Sequence, residues 1–141
     1  MGKQLNDAMR AFLAAQPVGV LATSRRDGSI RQSMVYHVSD GDRILISTEA
    51  GRGKTHDVRR TGRASYAVIG HEKPFPQVVV EGAARILDAG IGEITMRIFE
   101  RVSGKRPPNP LTDEMLASMK RVVVEITIEQ VRDVSYVGGA S

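Results

Sequence analysis

The sequence predicts a mainly β protein: an antiparallel barrel of about six strands with short helices at its periphery. Two Asp-Gly pairs, Asp27-Gly28 and Asp40-Gly41, separate three apolar runs of strand length, and such pairs are strong signals for tight hairpins. Further strand-like runs follow at residues 64–70, 77–87 and 122–137. Within the run at 77–87, Gly82-Ala83-Ala84 marks a close backbone approach or a barrel bend. Hairpin-joined strands with few intervening helices argue for antiparallel closure, not for a doubly wound parallel sheet.

Each element has its own signal. Residues 2–16 are expected to form an amphipathic helix, with Leu5, Met9, Phe12 and Leu13 on one face. Pro17 ends it by removing an amide donor. Strands are expected at 18–23, 30–38 and 43–48, with Ile30, Gln32, Met34, Tyr36 and Val38 facing one way. A short helix at 52–60 has Val58 as its one apolar residue, so it is expected to be largely solvated or to face a ligand. Asp88 is the expected N-cap of a second amphipathic helix carrying Ile91, Ile94, Ile98, Phe99 and Val102 on one face and stopped by Gly104. Thr112 is the expected cap of a short helix through Met119. The last strand, 122–137, is expected to be interrupted near Glu129-Gln130.

With 141 residues, 41% apolar and 26% charged, the chain has the composition and length of one soluble globular domain, expected over 1–141. No apolar run approaches the roughly 18 residues that span a bilayer. The first ten residues, MGKQLNDAMR, lack the apolar core of a signal peptide, so the expectation is a cytoplasmic protein without a membrane role. Zero cysteines exclude a disulfide framework and a thiolate nucleophile. Nothing supplies two or three metal ligands on a common face, so no metal is expected.

The net charge of +4 is clustered. Arg25, Arg26 and Arg31 form one group, and five of the twelve residues 52–63 are Lys or Arg, against one acid, Asp57. Such a patch draws anions. A nucleic-acid partner is disfavoured, because only six aromatics are available for stacking and no recognised motif is present. Ser47 and Thr48 lead into a turn with Gly51 and Gly53, beside Arg52 and Lys54. Hydroxyls, exposed turn amides and cations together suit a phosphate. The spacing is not that of a Walker A loop, and the pattern alone leaves a solvated basic helix equally open.

Nucleophilic catalysis has no support: there is no G-x-S-x-G and no cysteine. His37, His56 and His71 have no motif-like spacing to acids. His56 reads as an exposed helix residue and His37 as a packed strand residue.

The order VGVLAT, an Asp-Gly hairpin, RQSMV, ISTEAGRGKTHDVRR, RASYAV and QVVVEGAARI resembles the split β-barrel family of pyridoxamine 5′-phosphate oxidase-like flavin-binding proteins. The match runs over roughly residues 10–103. The short length and the closing RVVVEITIEQVRDV look most like the actinobacterial branch that uses the deazaflavin coenzyme F420. The resemblance implies that Ser47, Thr48, Arg52 and Lys54 bind the cofactor phosphate. It implies that Arg31, Gln32, Ser33 and Met34 lie along the ring system, and that Gln77 reaches it. It further implies a homodimer with the cofactor at the subunit interface. Arg52, Arg59 and Arg60 would suit the extra charges of the F420 polyglutamate tail.

The chain departs from the oxidases at Tyr36, where they carry a basic residue, and at Gly53-Lys54, where they carry Arg-Lys. Their C-terminal Trp and Arg have no counterpart. The expectation is therefore an F420-dependent oxidoreductase passing a hydride to a small conjugated substrate, with FMN as the alternative cofactor and a non-catalytic flavin or tetrapyrrole carrier as the alternative role. Tyr36 and His37 are the candidates for a proton donor, and no residue is assigned as catalytic.

Overall fold

A computed structural model describes residues 4–138. Six antiparallel strands close in the order β1-β2-β3-β6-β5-β4. They are β1 (Val18–Ser24), β2 (Ile30–Asp40), β3 (Arg43–Glu49), β4 (Arg63–Ile69), β5 (Gln77–Leu87) and β6 (Arg121–Ser135). The four helices are α1 (Asp7–Ala15), α2 (Gly53–Thr61), α3 (Gly92–Ser103) and α4 (Asp113–Ser118). β1, β2 and β3 form the expected meander, and three residue pairs from Val20↔Ala67 to Ala22↔Ser65 close the barrel between β1 and β4.

Alternation along the strands sorts side chains between the barrel interior and its outer wall. On β2, Ile30, Met34 and Tyr36 do share a face, but it is the exposed outer one. His37 points the other way and is fully buried. One apolar cluster, including Leu21, Ile44, Ile46, Tyr66, Val80 and Val124, fills the interior. A second lies outside the wall, where Ile91 and Ile98 with Leu116 cover Val38, Leu45 and Val123.

Gly82 shows why the β5 glycine is needed. A Cβ there would stand 1.8 Å from the Thr127 carbonyl oxygen. The β5–β6 register shifts beside it, with Glu81 opposite Gln130 and Gly82 opposite Ile128. Glu129 is thus the extra residue of a bulge, in agreement with the expected interruption.

The helix boundaries bring corrections. Residues 2 and 3 of the expected first helix lie outside the described residues, and α1 begins at Asp7, where the Asn6 side chain accepts from the Met9 amide at 2.9 Å. Asp88 does not cap α3. Gly90 turns the chain at φ +66° and Ile91 takes the N-cap place without a side-chain cap, because Ile91 is drawn into the outer cluster. Thr112 does cap α4, accepting from the Met115 amide at 3.1 Å.

Among the described residues, no helix is long and apolar enough to cross a membrane.

Candidate functional site

β3 delivers Ser47 and Thr48 to the edge of the barrel, and the chain turns through Gly51 into α2. Arg52 is the N-cap in extended conformation and makes no side-chain cap bond. Its carbonyl accepts from the Thr55 and His56 amides. The Gly53 and Lys54 amides have no acceptor among the described residues, as the first turn of a helix dictates. This end of α2 therefore presents two free donors and the positive pole of the helix.

Of the two expectations for α2, largely solvated or facing a ligand, the first is corrected. Lys54, Thr55, Asp57 and Val58 are all buried. Val58 belongs to the interior cluster, and the Thr55 hydroxyl donates to the Glu49 carbonyl at 2.9 Å. One apolar side chain, Val58, and two hydrogen-bonded polar ones, Thr55 and Asp57, seat the helix. Gly62, at φ +66°, ends it.

Asp57 is the centre of that polar set. Its Oδ2 accepts from Thr23 Oγ1 and from Arg31 Nε, both at 2.8 Å, and Arg60 lies 3.4 Å from its Oδ1. Burial works to raise this carboxyl, but the hydrogen bonds from Arg31 and Thr23 outweigh it and hold it below the usual carboxylate range. The Arg31 guanidinium then lies flat against Gly53. A Cβ on residue 53 would stand 2.3 Å from Arg31 Cζ, so the glycine leaves room that Arg31 fills.

Beside this corner opens a cleft of about 350 Å³. Ser47, Thr48, Arg52 and Lys54 line one wall, and Met34 and Tyr36 another. α3 and β6 supply Phe99, Val102 and Arg121. The buried Ser47 Oγ has no hydrogen-bond partner among the described residues. Lys54 makes no ion pair among them either. Its pKa is lowered by burial and by the neighbouring Arg52 and Arg31. A partly desolvated ammonium, an orphaned hydroxyl and two free amides are what an anion would satisfy.

The ten residues singled out from the sequence do not all gather. Met34, Ser47, Thr48, Arg52 and Lys54 line the cleft, and Arg31 adjoins it through Gly53. Gln32 is exposed and Ser33 half-buried, on the β2 stretch paired to Ala22 and Leu21. Arg60 is turned to Asp57 and the Ser24 carbonyl. Gln77 donates to Asp133 at 2.9 Å, away from this cleft.

Tyr36 reaches the cleft, whereas His37 lies inside the barrel. The Tyr66 hydroxyl stands 2.6 Å from His37 Nδ1, and Nε2 stands 2.8 Å from the Leu13 carbonyl. That carbonyl can only accept, so Nε2 carries the proton. A second cleft, of about 360 Å³, lies on the other side of Met34, lined by Val18, Val20, Ile69, His71 and Phe75.

Phe99, Val102 and Arg121 were missed in the sequence. Phe99 and Val102 share the expected apolar face of α3 with Ile91, Ile94 and Ile98, but Val102 is 53% exposed, and the Arg121 guanidinium lies 5.6 Å from the Phe99 ring centroid. No local pattern marks Arg121. In the sequence Asp57 stands out only as the one acid among the cations of residues 52–63.

The family profile described as pyridoxamine 5′-phosphate oxidase matches residues 5–135, nearly the whole chain. The chain belongs to the pyridoxamine 5′-phosphate oxidase family. Its barrel is similar to that of a conserved hypothetical protein from Mycobacterium tuberculosis (TM-score 0.73, 25% identity, 92% of this chain and 84% of that one). It is also similar to a protein described as an F420 reductase (TM-score 0.73, 20% identity, 90% and 98%). A third is a putative pyridoxamine 5′-phosphate oxidase from Listeria innocua (TM-score 0.72, 23% identity, 93% and 98%). In this member of the family, Arg31 stands against the backbone at Gly53, the position where the oxidases carry an arginine of their own.

Proposed function

We propose that this protein is an oxidoreductase that binds a flavin-type cofactor, coenzyme F420 by preference, and passes a hydride from its reduced form to a small conjugated organic substrate. The observation that carries the reading is the anion corner: amides at Gly53 and Lys54 and the Lys54 ammonium, without partners among the described residues although Glu49 lines the same cleft, and the orphaned Ser47 hydroxyl. Ser47, Thr48, Arg52 and Lys54 would hold the cofactor phosphate. Met34 and Tyr36 would flank the ring system. The cofactor, when bound, supplies the hydride chemistry. The chain's own part is to orient that ring and to keep water from it.

The β2 face carrying Ile30, Met34 and Tyr36, with Ile69 and Phe75 nearby, exposes large apolar side chains. An exposed apolar patch suits an interface, and a second copy of this chain seated there would complete the cleft over Met34. The reading is therefore a homodimer with two equivalent sites. Sedimentation of the purified protein at the mass of one chain would remove this part.

F420 is favoured by cations beyond those needed for one phosphate. Arg59, Lys120 and Arg121, against one acid, Asp88, line an adjoining cleft of about 300 Å³, a net positive lining that suits an anionic tail. FMN in the same cleft is the second reading, favoured by Arg60, which is committed to Asp57 and Ser24 and thus withdrawn from any tail.

Fluorescence titration with F420, FMN and FAD tests the choice. Tight FMN binding with none of F420 would overturn the F420 assignment. Cofactor binding without turnover on a panel of enones and quinones would leave a carrier in place of an enzyme.

A further inference from the structure

We propose that Asp57, which does not line the cleft that Lys54 lines, is the positioning residue of the anion corner. It fixes the Arg31 guanidinium against the open end of α2, so that Arg31 becomes a phosphate ligand together with Lys54. The proposal rests on the cofactor reading above and adds a residue to it.

Asp57 is 2% exposed and spends Oδ2 on Thr23 and on Arg31 Nε. A guanidinium is planar, so holding Nε at 2.8 Å sets the direction of the other two nitrogens as well. Those two have no acceptor among the described residues. They lie 2.4 and 2.7 Å from the place a Gly53 Cβ would occupy. The free amides of Gly53 and Lys54 begin at the same backbone. An anion received there meets a two-pronged donor that is already oriented. A free arginine would first have to be immobilised, which weakens binding.

Charge alone predicts the opposite result. A carboxylate close to an anion site repels the anion, so neutralising Asp57 would strengthen binding if its effect were only Coulombic. If it positions Arg31, neutralising it weakens binding. The side chain that Asp57→Asn introduces offers Arg31 a neutral oxygen, a weaker acceptor than a carboxylate. Its NH2 group would also meet Arg60, donor against donor.

The experiment compares FMN with riboflavin, and F420 with its dephosphorylated chromophore, in wild type and in Asp57→Asn. A loss of at least tenfold for the phosphorylated ligand, with less than a twofold change for its dephosphorylated partner, supports the assignment. Unchanged or tighter binding of the phosphorylated ligand overturns it, as does an equal loss for both. Arg31→Lys keeps the charge and removes the Nε donor, and it should show the same phosphate-restricted loss, with Asp57→Asn adding nothing further in that background. Should Asp57→Asn fail to fold, Arg31→Lys decides on the same criterion. A wild type that binds none of the four ligands overturns the cofactor reading and this assignment together. A wild type that binds them, with intact affinity in both variants, overturns this assignment alone.

Discussion

Glu125 on β6 and Asp57 on α2 are both buried carboxylates set between two arginines. Glu125 takes Arg43 at 2.5 Å and Arg85 at 2.7 Å. Arg85 stands directly opposite it on β5, so the group staples three neighbouring strands along the outer wall. Both arginines reach in from solvent, with side chains 42% and 70% exposed, and neither lines the cleft beside α2. Asp57 makes a similar pair of bonds inside the barrel's end, but its Arg31 faces a helix terminus that still has two free amides. The same chemical unit is closed in one place and open in the other. What separates them is whether the arginine's remaining donors meet water or an unsatisfied corner.

The contrast breaks most visibly at Arg31. Arg31→Ala leaves Asp57 buried with the longer Arg60 contact, and should cost about 1.5–3 kcal/mol of stability, the range for a hydrogen bond to a charged group. It should also weaken cofactor binding. Urea denaturation and fluorescence titration of one preparation measure both. Stability lost without affinity lost would make Asp57 a staple like Glu125.

Lys54→Ala comes next. It should weaken cofactor binding by about 1.5–3 kcal/mol, roughly ten- to a hundredfold, with stability unchanged or slightly raised, since it removes a partly desolvated unpaired charge. Unchanged affinity would return α2 to a basic helix without a ligand. A finer probe is Gly53→Ala, whose Cβ displaces only the end of the Arg31 side chain. A several-fold loss of affinity, about 1 kcal/mol, is expected, with a small fall in melting temperature because the Arg31–Asp57 contact is disturbed.

Acid titration separates the two carboxylates from a third buried group. Asp57 and Glu125 are each raised by burial and lowered further by their hydrogen-bonded arginines. Their folded pKa values lie below the unfolded ones, so their stabilisation is present above about pH 4 and is lost only below it. His37 is held low chiefly by burial. The unfolded chain then takes up a proton before the folded one does, and stability should begin to fall as pH drops below about 6.5. Urea midpoints measured across the range from neutral to acid should show two windows, and His37→Gln should erase the upper one alone.

The smallest effect belongs to Arg85→Gln. Its side chain is mostly exposed and Glu125 keeps Arg43, so the change should stay within about 0.2–1 kcal/mol and leave cofactor affinity untouched. An affinity change here would undo the distinction between the two acids.

The strands and the pairing of the first three could be read from the chain, whereas the order in which β4, β5 and β6 close the barrel came from the structure. Alternating side chains and Asp-Gly turns are local signals, and each local choice agrees with the barrel. The glycine in β5 and the break near Glu129 were legible for the same reason, since both act within one strand pair. Half of the candidate site was visible too, because Ser47, Thr48, Arg52 and Lys54 lie on one continuous segment and line one cleft.

The rest depended on the closed barrel. Hydropathy gave α2 a single apolar residue, but its buried face is built largely from hydrogen-bonded polar side chains, which periodicity does not register. Asp57 meets Arg31 across 26 positions and Thr23 across 34, so no window of sequence contains the bracket. Arg60, three positions from Asp57, read as a free cation until its partners appeared. Phe99 and Arg121 meet only because α3 packs against β2 and β3 and β3 pairs with the start of β6. Composition and local pattern determined which elements form. Which charges remain unsatisfied was decided by tertiary structure, because a charge is free or spent only in relation to neighbours that chain closure brings to it.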